Sequence, residues 1–259
     1  LLGRTSAARY NNFDSLFIPF RCVASDIAGK KGDIFSKGNL NQAVRASMTF
    51  PFYVNPIRIN GILYFDGGLY NNFPADVMYH NFTTDYIIGS NVSYNAAPPS
   101  DDDLISQLTN MLVTPTNFNL PCESGILIQP KSSVQTFEFD EVGKAILEGY
   151  NSTLLLLDSI KQLIPYRISK DSLNAKRQPF RKLIPEFTIS EVSTLNEKGE
   201  DESYVRKSIL KNSKNQVISE RLFEKRYFRT YATPELKYLF PTLELKKDST
   251  YKLNLEVKR

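Results

Sequence analysis

The stretch Tyr64-Phe65-Asp66-Gly67-Gly68-Leu69-Tyr70-Asn71-Asn72-Phe73-Pro74 constrains this chain more than any other, because it crowds an acid, paired glycines, paired asparagines and a proline together. The apolar run Ile62 to Phe65 reads as a short strand that carries the Asp66 carboxylate to its end. Gly67 and Gly68 then let the backbone turn through φ values that other residues avoid. Asn71 and Asn72 can bond back to their own backbone, and Pro74 suits the first turn of a following helix. A strand, a tight turn carrying Asp, then a helix is a common way to fix one acid at the rim of an α/β sheet. The same residues also read as a plain turn in which Asp66 caps local N–H groups.

Upstream, Asn39 to Pro51 reads as an amphipathic helix with Asn39 as its N-cap and Pro51 as its stop. Taken together, NLNQAVRASMTFPFYVNPIRINGILYFDGGLYNNFPADVM resembles the second half of the patatin-like phospholipase domain, in which a helix ending in Ala-Ser and a nearby Pro precede an Asp-Gly-Gly motif. The earlier FIPFRCVASDIAGKKGDIFSKGNL is similar to the strand and Ala-Thr-Asp run of that family, with Ser25 where Thr is usual. The resemblance covers about the first 170 residues, in order. It implies a partial three-layer α/β domain, a parallel sheet with flanking helices, and makes Asp66 the acid of a Ser-Asp catalytic dyad supported by Gly67 and Gly68. The serine of such a dyad sits on a Gly-x-Ser-x-Gly elbow. No such motif occurs in these 259 residues, so the nucleophile is expected upstream of Leu1.

The remaining residues bound what else the chain can do. A hydrophobic content of 41% and an aromatic content of 12% are enough for real cores. The longest apolar run, Leu154 to Leu157, is far too short to cross a bilayer, and the N-terminus has no charged-then-apolar leader pattern. Cys22 and Cys122 are too few for a disulfide framework; Cys22 reads as a buried free thiol and His80 as a surface or helix-end residue. The run Asp101 to Asp103 reads as a solvated loop and not as a metal site. No metal or cofactor is expected. Phe17 to Ala24 and Tyr86 to Val92 look like buried parallel strands. The apolar spacing from Val142 to Leu163 predicts one long amphipathic helix facing the core and closing the first domain.

Between Lys170 and Pro185 the texture turns basic and is broken by prolines, which places a linker at 173–185 between domains 1–172 and 186–259. Residues 1–170 carry 13 basic and 15 acidic side chains, and residues 171–259 carry 19 and 13, with the charges interleaved. The second part predicts a strand at Phe187 to Val192, helices from Glu202 to Leu210 and Ser219 to Tyr231, and strands at Tyr238 to Leu245 and Tyr251 to Val257. That β-α-α-β-β order resembles a small α+β POTRA domain, the periplasmic module that precedes outer-membrane β-barrels. The two resemblances together match bacterial patatin-like outer-membrane proteins. They imply a lipid acyl hydrolase located in the periplasm or outer membrane, acting on phospholipid or another acyl-ester lipid at a membrane surface, with an extended polypeptide as partner of the POTRA-like domain. The alternative is a non-enzymatic periplasmic interaction module on a patatin-like scaffold. Nucleic acid is not an expected partner, because the aromatics of the basic part follow strand and helix periods and form no stacking platform.

Overall fold

A computed structural model describes residues 2–195, 201–210, 216–234 and 236–258. In chain order the elements are α1 (Leu2–Ala7), β1 (Cys22–Asp26), β2 (Lys31–Phe35), α2 (Leu40–Ser47), β3 (Ile57–Ile59), β4 (Ile62–Asp66), α3 (Ala75–Phe82), β5 (Ile87–Ser90), α4 (Leu104–Leu112) and β6 (Gly125–Ile128). They continue as α5 (Val142–Leu155), α6 (Leu157–Leu163), α7 (Lys170–Lys182), β7 (Thr188–Leu195), α8 (Asp201–Leu210), β8 (Gln216–Val217), α9 (Glu220–Tyr231), β9 (Tyr238–Leu245) and β10 (Tyr251–Lys258). Contacts divide the chain into two units. One comprises Arg21–Phe35 and Ala46–Ser169, and the other comprises Leu1–Phe20, Ser36–Arg45 and Lys170–Arg259.

The first unit is mixed α/β. Its four-stranded sheet has the order β2-β1-β4-β3 and every pairing in it is antiparallel, while β5 and β6 form a separate parallel pair. The expectation of a parallel sheet through Phe17 to Ala24 is therefore corrected: β1 starts only at Cys22 and is antiparallel to both neighbours. Connection length decides this. Residues 27–30 alone join β1 to β2, and Asn60-Gly61 alone joins β3 to β4, and links that short cannot carry a crossover. Asn60 and Gly61 sit at φ 50 and 86, as a two-residue hairpin turn of the primed type requires.

Helix α5 also departs from expectation. The helical run ends at Leu155 and restarts as α6, and neither helix has a buried residue. Ile146, Leu147, Tyr150 and Leu155 are largely exposed, so the apolar stripe does not face a core within this unit. Asp103 lies just before α4 and its carboxylate accepts the Ser106 N–H at 3.2 Å, which makes it a helix-start residue.

The second unit is α+β. Its sheet runs β8-β7-β10-β9, with β10 parallel to β7 and antiparallel to β9. Alternation on β10 follows the sequence pattern: Tyr251, Leu253 and Leu255 are 0% exposed and Val257 is 2% exposed. They join Ile189 and Val192 of β7, Val205 and Ile209 of α8, and Ile218 in one apolar cluster. Ala7 of α1 belongs to the same cluster. Arg4 pairs with Glu220, donates to the Pro185 carbonyl at 2.6 Å and lies over the Phe187 ring, so the first helix is packed into the unit that the last 90 residues build.

The expected helices and last two strands of this part match the observed ones to within a residue, with Ser219 capping α9 through the Leu222 N–H, while β7 runs three residues beyond Val192 and the short β8 was not expected. The segment 173–185, expected as a linker, instead holds most of α7. Asp171 in its first turn and Arg181 and Lys182 in its last complement the helix dipole, and Pro179 is carried inside the helix. Phe180 of this helix meets Phe17 edge-on at 5.8 Å and lies beneath the Arg9 guanidinium.

Candidate functional site

Asp66 is the last residue of β4 and is held through its backbone from both sides. Its N–H donates to the Thr49 carbonyl at 2.9 Å, and its carbonyl accepts the fully buried Ser25 hydroxyl at 2.7 Å. Ala24 on β1 is its register partner. Two residues earlier on β4, Tyr64 donates its hydroxyl to Asp33 on β2 at 2.8 Å, which braces β4 to β2 around the intervening β1. The position of the acid is thus fixed by a sheet and not by a loop.

The turn that follows is a single 3₁₀ turn, Gly67–Leu69. The Asp66 Oδ1 accepts the Gly68 N–H at 2.8 Å, as in a helix cap. The half-buried Oδ2 has no hydrogen bond among the described residues and is the atom left to accept a proton. Burial raises the Asp66 carboxyl above its ordinary value, and the Gly68 N–H offsets only part of that rise. A half-buried carboxylate with one oxygen anchored, one open and a strengthened basicity can act as a general base or orient a hydroxyl nucleophile.

Glycine is needed at position 67 for room. Neither Gly67 nor Gly68 has a positive φ, contrary to the sequence reading. A Cβ on Gly67 would stand 2.2 Å from the Val23 carbonyl oxygen of the neighbouring strand, whereas one on Gly68 would meet the tips of Asn72 and Asp66. Gly67→Ala is expected to destabilise the protein by about 1–3 kcal/mol, since a backbone carbonyl cannot swing aside. Gly68→Ala should cost less. Urea unfolding of the two variants checks this, and equal or reversed costs would contradict the geometry.

The raised carboxyl sets a pH signature. Folded Asp66 keeps its proton at pH values where the unfolded chain has lost it, so its contribution to stability falls as pH rises from the ordinary carboxyl range through the raised value and is constant above it. Asp66→Asn removes that dependence. The melting temperature of the variant minus that of the parent should therefore climb as pH rises from the ordinary carboxyl range and level off once the raised value is passed. A flat or falling difference would contradict the burial of this group.

The other singled-out residues lie elsewhere. His80 is exposed in the last turn of α3, with Nδ1 2.7 Å from the Asp76 carbonyl. Cys22 and Cys122 are free thiols, both half-buried, and burial pushes the Cys22 thiol up to about 12. Among the described residues no three His, Cys, Asp or Glu side chains gather as a metal site, and no helix is long and apolar enough to cross a membrane. Sequence reasoning marked Ser25 only as a departure from Thr and missed its bond to Asp66. The signal available was a hydroxyl following the apolar Cys22-Val23-Ala24 run of a strand.

Residues 9–79, which include β1, β4 and the Asp66 turn, match the family model described as patatin-like phospholipase. The neuropathy target esterase sws of Drosophila melanogaster is 37% identical over 101 residues, 38% of this chain and 6% of the relative. An uncharacterized NTE family protein of Mycobacterium bovis is 28% identical over 107 residues, 40% of this chain and 29% of that protein. The human patatin-like phospholipase domain-containing protein 6 is 38% identical over 66 residues, 25% of this chain and 5% of its own length. The chain therefore spans less than a third of the curated relatives it matches, and the family-model match covers the part that holds Asp66.

Proposed function

We propose that this chain supplies the acid of a serine lipid acyl hydrolase of the patatin-like phospholipase kind. Asp66 is its general base, and a serine outside these residues is the nucleophile. The observation that carries the reading is the Asp66 carboxylate itself, anchored at Oδ1 by Gly68, open at Oδ2 and made more basic by burial within the matched stretch. The serine hydroxyl gives its proton to Oδ2 as its oxygen attacks the ester carbonyl, and the proton then passes to the departing alcohol. Since the 259 residues contain no Gly-x-Ser-x-Gly elbow, the chain alone is expected to show little or no turnover of p-nitrophenyl esters. Turnover by the chain alone that Asp66→Ala abolishes would overturn the placement of the nucleophile.

Residues 186–259 belong to the proposal as a POTRA-like domain that follows the patatin-like part after a boundary at about 173–185. The succession β7, α8, α9, β9, β10, with the two-residue β8 between the helices, and the central β10, parallel to β7, support that reading. With it come a periplasmic or outer-membrane location and an extended polypeptide partner. Fractionation of cells that make the protein tests the location, and recovery in the cytosol would contradict it.

A further inference from the structure

The first unit contains a cleft of about 410 Å³, lined on one side by Tyr70, Asn71, Phe73 and Asp76 and on the other by the 115–121 loop with Asn117 and Asn119. That volume falls within the range of about 300–1,000 Å³ usual for small-molecule sites. Both walls are tied down. Leu69, at the end of the Asp66 turn, accepts the Thr114 N–H through its carbonyl at 2.7 Å. The Asn95 side chain bonds both the N–H and the carbonyl of Thr116, at 2.7 and 3.0 Å. On the opposite wall Asn71 donates to Asp76 at 3.0 Å, and Phe73 packs beside Phe118 with ring centroids 6.0 Å apart.

The chemistry of the lining selects a ligand class. No lysine or arginine lines the cleft, and its single charge is the Asp76 carboxylate, so a phosphate finds repulsion and no donor fork. Asp76 sits in the first turn of α3 and accepts the Asn71 amide, which spends part of its charge on the protein and weakens any pull on a cation. What remains is the Asn71 amide oxygen, the Asn117 amide N–H groups, whose own oxygen accepts the Asn119 N–H at 3.0 Å, and the whole Asn119 amide, donors and acceptors side by side beside the Tyr70 and Phe73 rings. Vicinal hydroxyls match that array, and the C–H face of a sugar or cyclitol ring matches an aromatic wall.

We propose that this cleft binds an uncharged polyhydroxylated group, a sugar or polyol, and that this group is the alcohol portion of the ester on which the Asp66 site acts. The second half of the statement rests on the acyl hydrolase reading; the binding does not. Residues 70–76 follow the Asp66 turn directly, and the Leu69 carbonyl ties that turn to the start of the 115–121 loop by accepting the Thr114 N–H.

The test is a titration of the isotope-labelled 259-residue chain, followed by amide chemical shifts, with methyl glucoside, myo-inositol, inorganic phosphate and choline in separate arms. Saturable shifts confined to residues 70–76 and 115–121 are expected with the two polyols. Asn119→Ala, an exposed change that leaves the melting temperature in place, should weaken polyol binding by about tenfold, the equivalent of one good hydrogen bond. Asp66→Asn should leave it unchanged, which separates failure of the cleft from failure of the catalytic reading. Absence of saturable polyol shifts, shifts located elsewhere, or tighter binding of phosphate or choline would each overturn the proposal.

Discussion

Truncating Leu253 to Ala is expected to destabilise the α+β unit by about 2–5 kcal/mol, the usual cost of deleting a buried leucine and leaving a cavity. Leu253 is 0% exposed at the middle of the central strand, where β7 lies on one side, β9 on the other and α8 contributes Val205 and Ile209 to the same cluster. Nothing nearby is free to collapse into the gap. The adjacent Lys252 provides the contrast, because it points to the other face and pairs with Glu191 at 2.8 Å near the surface. Lys252→Ala should cost only about 0.2–1 kcal/mol. Urea unfolding of both variants, with amide exchange at β10 as the local probe, measures the pair. Similar costs for the two would mean that the sheet does not bury its face as described.

That face was legible in the sequence because a strand with one wet side prints its period directly. Tyr251, Leu253, Leu255 and Val257 alternate with Lys252, Asn254 and Glu256, and no competing period fits. Helix α9 was equally plain, since Ser219 announces its start. The strand ending at Asp66 was legible for a different reason, namely that an acid followed by two glycines has few uses inside a strand.

What was hidden was pairing. Asn60-Gly61 is a strong hairpin signal, and the reading of Ile62 to Phe65 as a short strand made no use of it. Apolar runs state that a strand is buried and say nothing of its neighbour's direction. The Val142 to Leu163 stripe misled because periodicity reports an apolar face and not whether another element covers it; in the first unit that face is largely exposed. The helix over residues 170–182 was hidden by prolines, one of which α7 carries inside it while the other lies beyond its end. At the site itself, the reason for Gly67 is the Val23 carbonyl on a strand more than 40 residues away, a contact that no local pattern encodes.

The largest effect belongs to Asp66. Asp66→Asn keeps the shape of the side chain and an oxygen for the Gly68 N–H but removes the group that accepts a proton. In a protein that joins this chain to its proposed serine, turnover should fall by about 10²–10⁴-fold, the usual worth of general-base assistance. Stability should survive, because the sheet and not the carboxylate holds the turn: the Ser25 and Thr49 bonds go to the Asp66 backbone and are untouched. A residue that merely caps the Gly67–Leu69 turn behaves in the opposite way, with no effect on chemistry and a loss of about 0.5–2 kcal/mol only when the cap is removed, as in Asp66→Ala. Ester hydrolysis and thermal melting measured on the same Asp66→Asn preparation at neutral pH tell the two apart. A collapse of turnover with the melting temperature held or raised is the predicted result, and unchanged turnover would contradict the assignment of Asp66 as the catalytic acid.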